Sequence, residues 1–290
     1  MSIVTHNGAF HLDEVVAVGI LNTLYPELEI IRTRDKTPIK NATFAVDIGQ
    51  VYSHEKKRYD HHQPECNEVF NNSFETPLSS AGMVYKHYGK EYIKKVTGTD
   101  PSNELIEIIY VNIFEHIDGF DNGVYPYKKG VYPKFKLISL YDIILNSETF
   151  DEALKLTDTI IKHLVKGNVK RYNDMKNDMY ILKNSKVIDD SIIVVEKEIN
   201  DIKSMIHKFR KESRKNIVYV IYINNDNIDR ITWSIRAVQT TGFEIIKPFP
   251  PEHYLKEKFD GIEFYHKKQF FISCSSKETS IEICKESLKY

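Results

Sequence analysis

The hydrophobic and polar positions of the N-terminal part of the chain alternate between two kinds of segment. Short apolar runs that suit buried strands occur in SIVTH, LEIIRTRD and ATFAVDIG. Between the first two, LDEVVAVGILNTLYP has apolar residues at helical spacing from Val15 to Leu24 and is closed by Pro26. A strand followed by a helix and further strands predicts an α/β fold with a mostly parallel sheet flanked by helices.

Helical patterns dominate the next part of the chain. SSAGMVYKHYG begins with good capping residues and predicts a helix that runs to Gly89. DPSNELIEIIYVNIFEHIDGFDNG predicts another helix, with Pro101 in its first turn and apolar residues over positions 105–117. A more polar helix is predicted over residues 150–182, which suits a surface helix or a bridge between two domains.

The C-terminal third has a different pattern. SIIVVE, NIVYVIYI, ITWSIRAV, IEFYH and QFFISC predict strands, with NNDN as a hairpin turn between two of them. Helices are predicted at residues 202–211 and 277–288. We therefore expect a first domain at residues 1–170 and a smaller C-terminal α+β domain at residues 188–290.

Composition limits the classes of protein and of binding site. With 290 residues, 41% of them apolar and 28% charged, the chain is globular rather than disordered. A net charge of −1 supplies no general attraction for polyanions, so any nucleic-acid site must be a local patch. Three cysteines, Cys66, Cys274 and Cys284, are too few for a disulfide framework and favour a reducing compartment.

The chain shows no sign of a membrane partner. No run approaches the roughly 20 apolar residues that a membrane-spanning helix needs. The N-terminal stretch MSIVTHNGAF lacks the basic start and apolar core of a signal peptide. A cytoplasmic or nuclear location is therefore expected.

Histidines and carboxylates cluster near the predicted strand ends, in THNGAFHLDE, KKRYDHHQPE and HIDGFDNG. His11 and Asp13 are two residues apart, which in extended backbone directs both side chains to one face. Asp47 directly follows another strand, where parallel α/β sheets bind their ligands. The full set of candidates is His6, His11, Asp13, Glu14, Asp47, Asp60, His61, His62, His116, Asp118 and Asp121.

This set of donor groups suits a divalent metal ion. Imidazole and carboxylate without thiolate favour Mn²⁺, with Mg²⁺ or Zn²⁺ possible. Two ions roughly 3.5–4 Å apart can clamp a phosphoryl group through a shared carboxylate. Single histidines and aspartates in loops are also common as surface, capping and turn residues, so residue type alone leaves both interpretations open.

Six stretches, in this order and at these separations, resemble the melanocyte proliferating gene (Myg) family, a branch of the DHH phosphoesterase superfamily. They lie within residues 4–123 and read THNGAFHLDE, RTRD, AVDIG, RYDHHQ, LSSAGMVY and IDGFDNG. The resemblance implies a DHH-type catalytic domain at residues 1–170 and a substrate-binding-like domain at residues 188–290. It also implies a two-metal phosphodiesterase, described in this branch as a 3′-to-5′ exonuclease acting on RNA.

The resemblance further implies roles for single residues. Asp47 would bridge two metal ions, His62 would face the scissile phosphate, and Asp60 would orient a histidine or sit beside the metals. One ion would be held by His6, His11 and Asp47, and the other by Asp13, Asp47, His61 and Asp118.

Two stretches depart from the superfamily pattern. His11-Leu12-Asp13 stands where Asp-x-Asp is usual, which replaces a carboxylate with an imidazole but removes no ligand. Ser273-Cys274-Ser275 stands where a Gly-Gly-His substrate motif is common. Because of the second departure, two alternatives stay open. The substrate differs from that of the superfamily, or the chain is a nucleic-acid-binding protein with weak catalysis.

Basic residues provide candidates for substrate contacts. Arg34 and Lys57 lie near the predicted metal ligands, and Arg236 lies in the stretch WSIRAV, where each could bind phosphate. The basic run at residues 207–215 is better explained as a solvated face. The expected partner is RNA or a short oligonucleotide, with small phosphoanhydrides or dinucleotides as the alternative, and a homodimer is left open.

Overall fold

The structure of the chain is a computed structural model. The structure describes residues 1–124, 138–224, 231–240 and 244–290. The chain divides into two compact units, Met1–Lys170 and Arg171–Tyr290. That the first is catalytic and the second binds substrate stays a prediction.

A mostly parallel sheet forms the centre of the first unit. Its strands are β1 (Ser2–Thr5), β2 (Glu29–Arg32), β3 (Phe44–Val46), β4 (Tyr52–Ser53) and β5 (Arg58–Tyr59). They are arranged in the order β2-β1-β3-β5-β4, and in the described part of the chain only β4 runs antiparallel to its neighbour. The predicted parallel α/β sheet is confirmed, and the carboxyl ends of four strands meet at one edge.

Helices accompany this sheet. They are α1 (Leu12–Leu24), α2 (Lys36–Asn41), α3 (Ser80–Thr97), α4 (Asn103–Ile109), α5 (Glu115–Asp121), α6 (Leu140–Leu145) and α7 (Phe150–Lys183). Helix α1 packs against α3 and is buried over residues 12–21, so it forms part of the core. The division between the two units falls within α7.

The predicted helix end at Gly89 is wrong. Helix α3 continues to Thr97 and ends at Gly98, whose φ of 73° gives the left-handed cap that favours glycine. Gly89 is buried, and a Cβ atom at this position would lie 2.8 Å from the ring of Tyr85. This glycine therefore permits close packing and does not stop the helix.

The following helix differs from its prediction at the start and in the middle. Helix α4 begins at Asn103 because the Ser102 hydroxyl accepts a hydrogen bond from the backbone N–H of Leu105. Pro101 thus precedes the cap and is not in the first turn. Residues Tyr110–Phe114 form a π-helical turn between α4 and α5, which hydrophobic spacing does not distinguish from an α-helix.

The second unit is an α+β domain, as predicted. Its sheet has the order β10-β11-β9-β8-β7-β6, and among the described residues only β7 and β8 pair in parallel. The strands are β6 (Lys186–Ile188), β7 (Ile192–Val195), β8 (Tyr219–Asn224), β9 (Thr232–Ala237), β10 (Ile262–Tyr265) and β11 (Phe271–Cys274). The helices are α8 (Ile202–Ser213), α9 (Glu252–Lys258) and α10 (Lys277–Lys289).

The sheet of the second unit is covered on both faces. Ile235 and Ile272 pack with Ile283 of α10, while Ile193 packs with Phe209 of α8. The NNDN turn lies mostly outside the described residues, but the strands on either side of it pair antiparallel. No helix in the described part of the chain has the length and apolar character to cross a membrane, and the predicted cellular location stays a prediction.

Candidate metal centre

The polar residues of three motifs lie at the carboxyl edge of the parallel sheet. His6 directly follows β1, Asp47 follows β3, and Asp60, His61 and His62 follow β5. These three strands are parallel neighbours, so their ends bring the side chains together.

The backbone at Asp47 has an unusual conformation. Its φ is 55°, in the left-handed region that aspartate tolerates better than most residues. The conformation is held by a hydrogen bond of 2.9 Å from the Asp47 backbone N–H to the carbonyl of Tyr59 on the neighbouring strand. Such strained positions cluster at functional sites, where the surrounding structure fixes them.

The Asp47 carboxylate faces two groups of potential ligands. Its Oδ2 lies 3.2 Å from Nε2 of His6. Its Oδ1 lies 3.6 Å from Nε2 of His61 and 3.4 Å from Nδ1 of His62, and it accepts a hydrogen bond of 3.0 Å from the Ser80 hydroxyl. One carboxylate therefore presents one oxygen to each side, as a ligand between two ions must.

The first group contains His6, His11, Glu14 and Asp47, with one ligand atom from each lying within 4.8 Å of the others. Nε2 of His6 contacts Oε2 of Glu14 directly. The other Glu14 oxygen lies 3.5 Å from the Arg32 guanidinium, so the buried carboxylate has a cationic neighbour on that side.

His61 lies at the centre of the remaining groups. Its Nε2 is 3.1 Å from Oδ2 of Asp121 and 4.0 Å from Oδ2 of Asp13, and these three residues form one potential metal site. His61 also forms a second potential metal site with Asp47 and His62. The imidazole nitrogen thus faces carboxylates from three different segments of the chain.

The arrangement of charge fits divalent cations. Oδ1 of Asp13 is buried and has no hydrogen-bond partner in the described part of the chain, which is costly for a carboxylate oxygen unless a ligand reaches it. Burial raises the pKa of Asp13 well above its usual range, and repulsion from Asp47, Asp121 and Glu14 raises it further. A cation among these groups would relieve both effects.

The histidines partly balance this negative charge. Burial lowers the pKa of His6, but hydrogen bonds to Asp47 and Glu14 outweigh burial and raise the pKa to about 10. Burial also opposes protonation of His61, yet Asp121 and the other nearby carboxylates raise its pKa. Metal binding requires neutral imidazoles, so both histidines would release protons when an ion binds.

Asp60 holds His62 in place. Oδ1 of Asp60 lies 2.8 Å from Nδ1 of His62 and also accepts a hydrogen bond from its backbone N–H, while Oδ2 accepts one of 2.5 Å from the backbone of Gln50. Asp60 is buried, whereas the His62 side chain is 54% exposed. The carboxylate thus orients the ring and leaves its other nitrogen available to a ligand.

One family model matches nearly the whole chain. This is MYG1_exonuc, described as Uncharacterised protein family (UPF0160), and it covers residues 2–288. The chain belongs to this family. The resemblance to the Myg family that the six stretches carry is therefore confirmed.

Curated MYG1 relatives come from several eukaryotes. The chain is 44% identical over 140 residues to the MYG1 protein of Dictyostelium discoideum, covering 47% of this chain and 43% of that protein. It is 35% identical to the MYG1 exonuclease of Homo sapiens, covering 46% and 38% respectively. A MYG1 protein of Saccharomyces cerevisiae matches at 27% identity over 99% of this chain and 95% of its own length. Except for the yeast protein, these matches span less than half of the relatives' length.

Solved structures show only weak similarity to this MYG1-family chain. A pGpG-specific phosphodiesterase of Vibrio cholerae aligns over 99% of this chain and 97% of its own, with 13% identity and a TM-score of 0.31. RecJ of Thermus thermophilus in complex with Mn²⁺ aligns over 100% of this chain and 52% of its own, with 11% identity and a TM-score of 0.30. These scores are too low to support any conclusion about this chain.

Asp118, a ligand in the predicted set, lies outside the three groups. It is fully buried and accepts hydrogen bonds from the Ser79 hydroxyl and backbone, the Gly82 backbone and the Tyr110 hydroxyl. Burial raises the pKa of Asp118 to about 7, although these hydrogen bonds act in the opposite direction. Asp121, three residues later, is the carboxylate that faces His61.

The three predicted substrate residues have different surroundings. Arg34 is exposed and lines a cavity with His6, His11, Asp47 and His62. The ammonium group of Lys57 lies 4.9 Å from the ring centre of Phe44. The guanidinium of Arg236, in the second unit, lies over the ring of Phe270 at 5.5 Å. Their roles in substrate binding stay predictions.

Cys274 and the candidate His116 both lie outside the described metal groups. Cys274, in the altered Ser273-Cys274-Ser275 stretch, is fully buried in the core of the second unit. His116 is exposed and lines a separate cavity with Glu115 and Val124.

Glu14 and Asp121 belong to the metal groups but not to the ligand set that the motifs imply. The sequence pattern indicates Glu14 as a candidate ligand, because it is a carboxylate at the start of a helix whose next residues are all apolar. No feature of the stretch HIDGFDNG indicates Asp121 rather than Asp118 as the ligand. Only the hydrogen-bond partners in the folded chain distinguish the two.

Proposed function

We propose that this chain is a metal-dependent phosphodiesterase that removes nucleotides from RNA in the 3′-to-5′ direction with two Mn²⁺ ions. The observation that carries the proposal is the Asp47 carboxylate, whose two oxygens face separate groups of ligands. Membership in a family with relatives named MYG1 exonuclease supports the same activity.

The three groups support the following ligands for the two ions. His6, His11 and Asp47 hold the first ion, with Glu14 as an additional ligand. Asp13, Asp47 and His61 hold the second, and Asp121 takes the place of Asp118. When bound, two such ions polarise the phosphoryl group and lower the pKa of water.

The residues around the ligands position the substrate. His62, fixed through its Nδ1 by Asp60, directs its other ring nitrogen to a phosphate oxygen or to the leaving oxygen. Arg34 lines the same cavity, of about 240 Å³, and supplies positive charge for a phosphate of the substrate.

The activity is tested by following the length of RNA that carries a 5′ label. Wild-type protein shortens the RNA from its 3′ end only when Mn²⁺ is present, and Asp47→Asn lowers the rate by at least about 100-fold. Asp100→Asn, a change in an aspartate that is 63% exposed and outside the site, keeps the wild-type rate. Equal rates for wild type and Asp47→Asn contradict the proposal, and RNA binding without turnover at saturating Mn²⁺ indicates a binding protein instead.

A second candidate uses the same site on smaller substrates. Cavities of about 210 and 240 Å³ flank the metal ligands, and each is smaller than the roughly 300 Å³ at which the range of ordinary ligand pockets begins. This favours dinucleotides or small phosphoanhydrides. Turnover of pyrophosphate, cyclic dinucleotides and oligoribonucleotides, measured at equal concentration, separates the candidates: the RNA exonuclease prefers the oligoribonucleotide.

A further inference from the structure

A cavity of about 210 Å³ next to the second metal group has two chemically different walls. One wall consists of metal-ligand residues and the other is apolar and aromatic. The lining residues are His11, Asp13 and Asp121 on the first wall and Leu12, Ile117, Phe120 and Tyr141 on the second.

Helix α5 brings both kinds of residue to the cavity. Ile117, Phe120 and Asp121 are spaced i, i+3 and i+4, so they share one helix face. Ile117 is buried at this face, and Asp121 contacts His61. The Phe120 side chain is therefore held next to a metal ligand by the helix itself.

The exposed Phe120 and the half-buried Tyr141 form an aromatic pair. Their ring centres are 4.7 Å apart with an angle of 42° between the planes, and Tyr141 comes from a different helix, α6. Phe120 keeps 43% of its surface exposed although it lines the same cavity as the buried Asp13. An exposed phenylalanine gains free energy when a planar apolar ligand covers it.

The cavity on the other side of the ligands is different. It is lined by Arg34, Gln50, Asp60 and His62 among others, and none of its described lining residues is Phe, Tyr or Trp. Of these two cavities, the one beside Asp121 combines groups that suit a metal ion with an aromatic surface on which a ring can stack.

We infer that Phe120 and Tyr141 form a stacking site for a nucleobase adjacent to the cleaved phosphodiester. This inference rests on the proposed function, because the ion that Asp13, Asp47, His61 and Asp121 would hold would bind the phosphate of the same nucleotide. Stacking on an aromatic side chain is tolerant of sequence, since every base has a π face. The site therefore takes any nucleoside monophosphate and favours it over a sugar phosphate that lacks a base.

Equilibrium binding tests the stacking site without requiring turnover. The probes are 2-aminopurine riboside 5′-monophosphate, whose fluorescence falls when its base stacks, and ribose 5-phosphate, both in Mn²⁺. Wild-type protein binds the nucleotide at least about tenfold more tightly than the sugar phosphate and quenches its fluorescence. Phe120→Leu and Tyr141→Leu each reduce this preference about fivefold or more, weaken the quenching, and leave affinity for ribose 5-phosphate unchanged.

Tyr180→Leu is the matched control, because Tyr180 is 64% exposed and does not line the cavity. It keeps the wild-type preference and quenching. If wild type quenches the fluorescence and both cavity variants do not, the result supports stacking whether or not the protein hydrolyses RNA. Equal affinity of wild type for the two probes, or unchanged quenching in both cavity variants, overturns the stacking site even if the protein hydrolyses RNA.

Discussion

At the scale of single residues, two aspartates of one short stretch have separate roles. Asp121 faces His61 at 3.1 Å, while Asp118 accepts hydrogen bonds from Ser79, Gly82 and Tyr110 inside the core. Under the account proposed here, Asp121 is a ligand and Asp118 fixes α3 and α5 around the site.

Substitutions separate these roles. Asp121→Asn should lower Mn²⁺ affinity at least about tenfold and change the free energy of unfolding of the metal-free protein little, because its carboxylate is partly exposed. Asp118→Ala should lower that free energy by roughly 2–4 kcal/mol, since buried donors lose their acceptor. Calorimetric Mn²⁺ titration and urea denaturation in EDTA measure the two effects. The reverse pattern would favour Asp118 as the ligand.

At the scale of secondary-structure elements, Gly19 of helix α1 and Gly89 of helix α3 have opposite environments. A Cβ atom at Gly89 would lie 2.8 Å from the buried Tyr85 ring, whereas one at Gly19 would lie 3.6 Å from Leu154, an ordinary contact. Gly89→Ala should therefore destabilise the protein by roughly 1–3 kcal/mol. Gly19→Ala should be neutral or stabilise it by up to about 1 kcal/mol. Urea denaturation of both variants measures the change in the free energy of unfolding, and equal changes would contradict this packing.

A pair of stacked imidazoles links the hairpin of β4 and β5 to α3. The rings of His54 and His87 are 3.8 Å apart and nearly parallel, and Nε2 of His87 lies 2.7 Å from the Tyr52 hydroxyl. Burial, followed by the charge of His54 and of Lys86, lowers the pKa of His87 from 6.5 to about 4. The folded state therefore favours neutral His87.

This pKa sets the sign of a pH effect on stability. The unfolded chain takes up a proton at His87 near pH 6.5 and the folded chain only near pH 4, so stability is full above pH 6.5 and falls as pH drops toward 4. Because the ring is partly exposed, the loss is roughly 1 kcal/mol. His87→Gln should lose less stability than wild type between pH 7 and pH 4 in urea denaturation. Identical pH profiles would contradict a neutral His87.

At the scale of the whole molecule, the sequence was sufficient for the α/β fold and for the edge of the sheet that carries the site. Parallel strands are predicted by short apolar runs that alternate with a helix, and their shared carboxyl ends bring His6, Asp47 and His61 together. The sequence was not sufficient to choose between Asp118 and Asp121 or to show that Gly89 is a packing residue. The choice between the two aspartates depends on their contacts with Ser79 and His61, which are far away in the chain, and the role of Gly89 depends on where the Tyr85 ring lies one helical turn earlier.

Metal binding should also stabilise the first unit. Ions that bind only the folded chain raise its stability by about 2.7 kcal/mol at 100 times their dissociation constant. Mn²⁺ should therefore raise the melting temperature of wild type, EDTA should reverse the rise, and Asp47→Asn should show little or none. Scanning calorimetry with Asp100→Asn as the control measures this. An equal rise for Asp47→Asn and wild type would place the metal elsewhere.

The central claim is that Asp47 bridges two metal ions. Anomalous scattering at the manganese absorption edge, from crystals of the full chain grown with Mn²⁺, tests it most directly because it shows both the number of ions and their ligands. The account predicts two peaks on either side of the Asp47 carboxylate, one near His6 and His11 and one near Asp13, His61 and Asp121. No peak at saturating Mn²⁺, or a single peak away from Asp47, would contradict it.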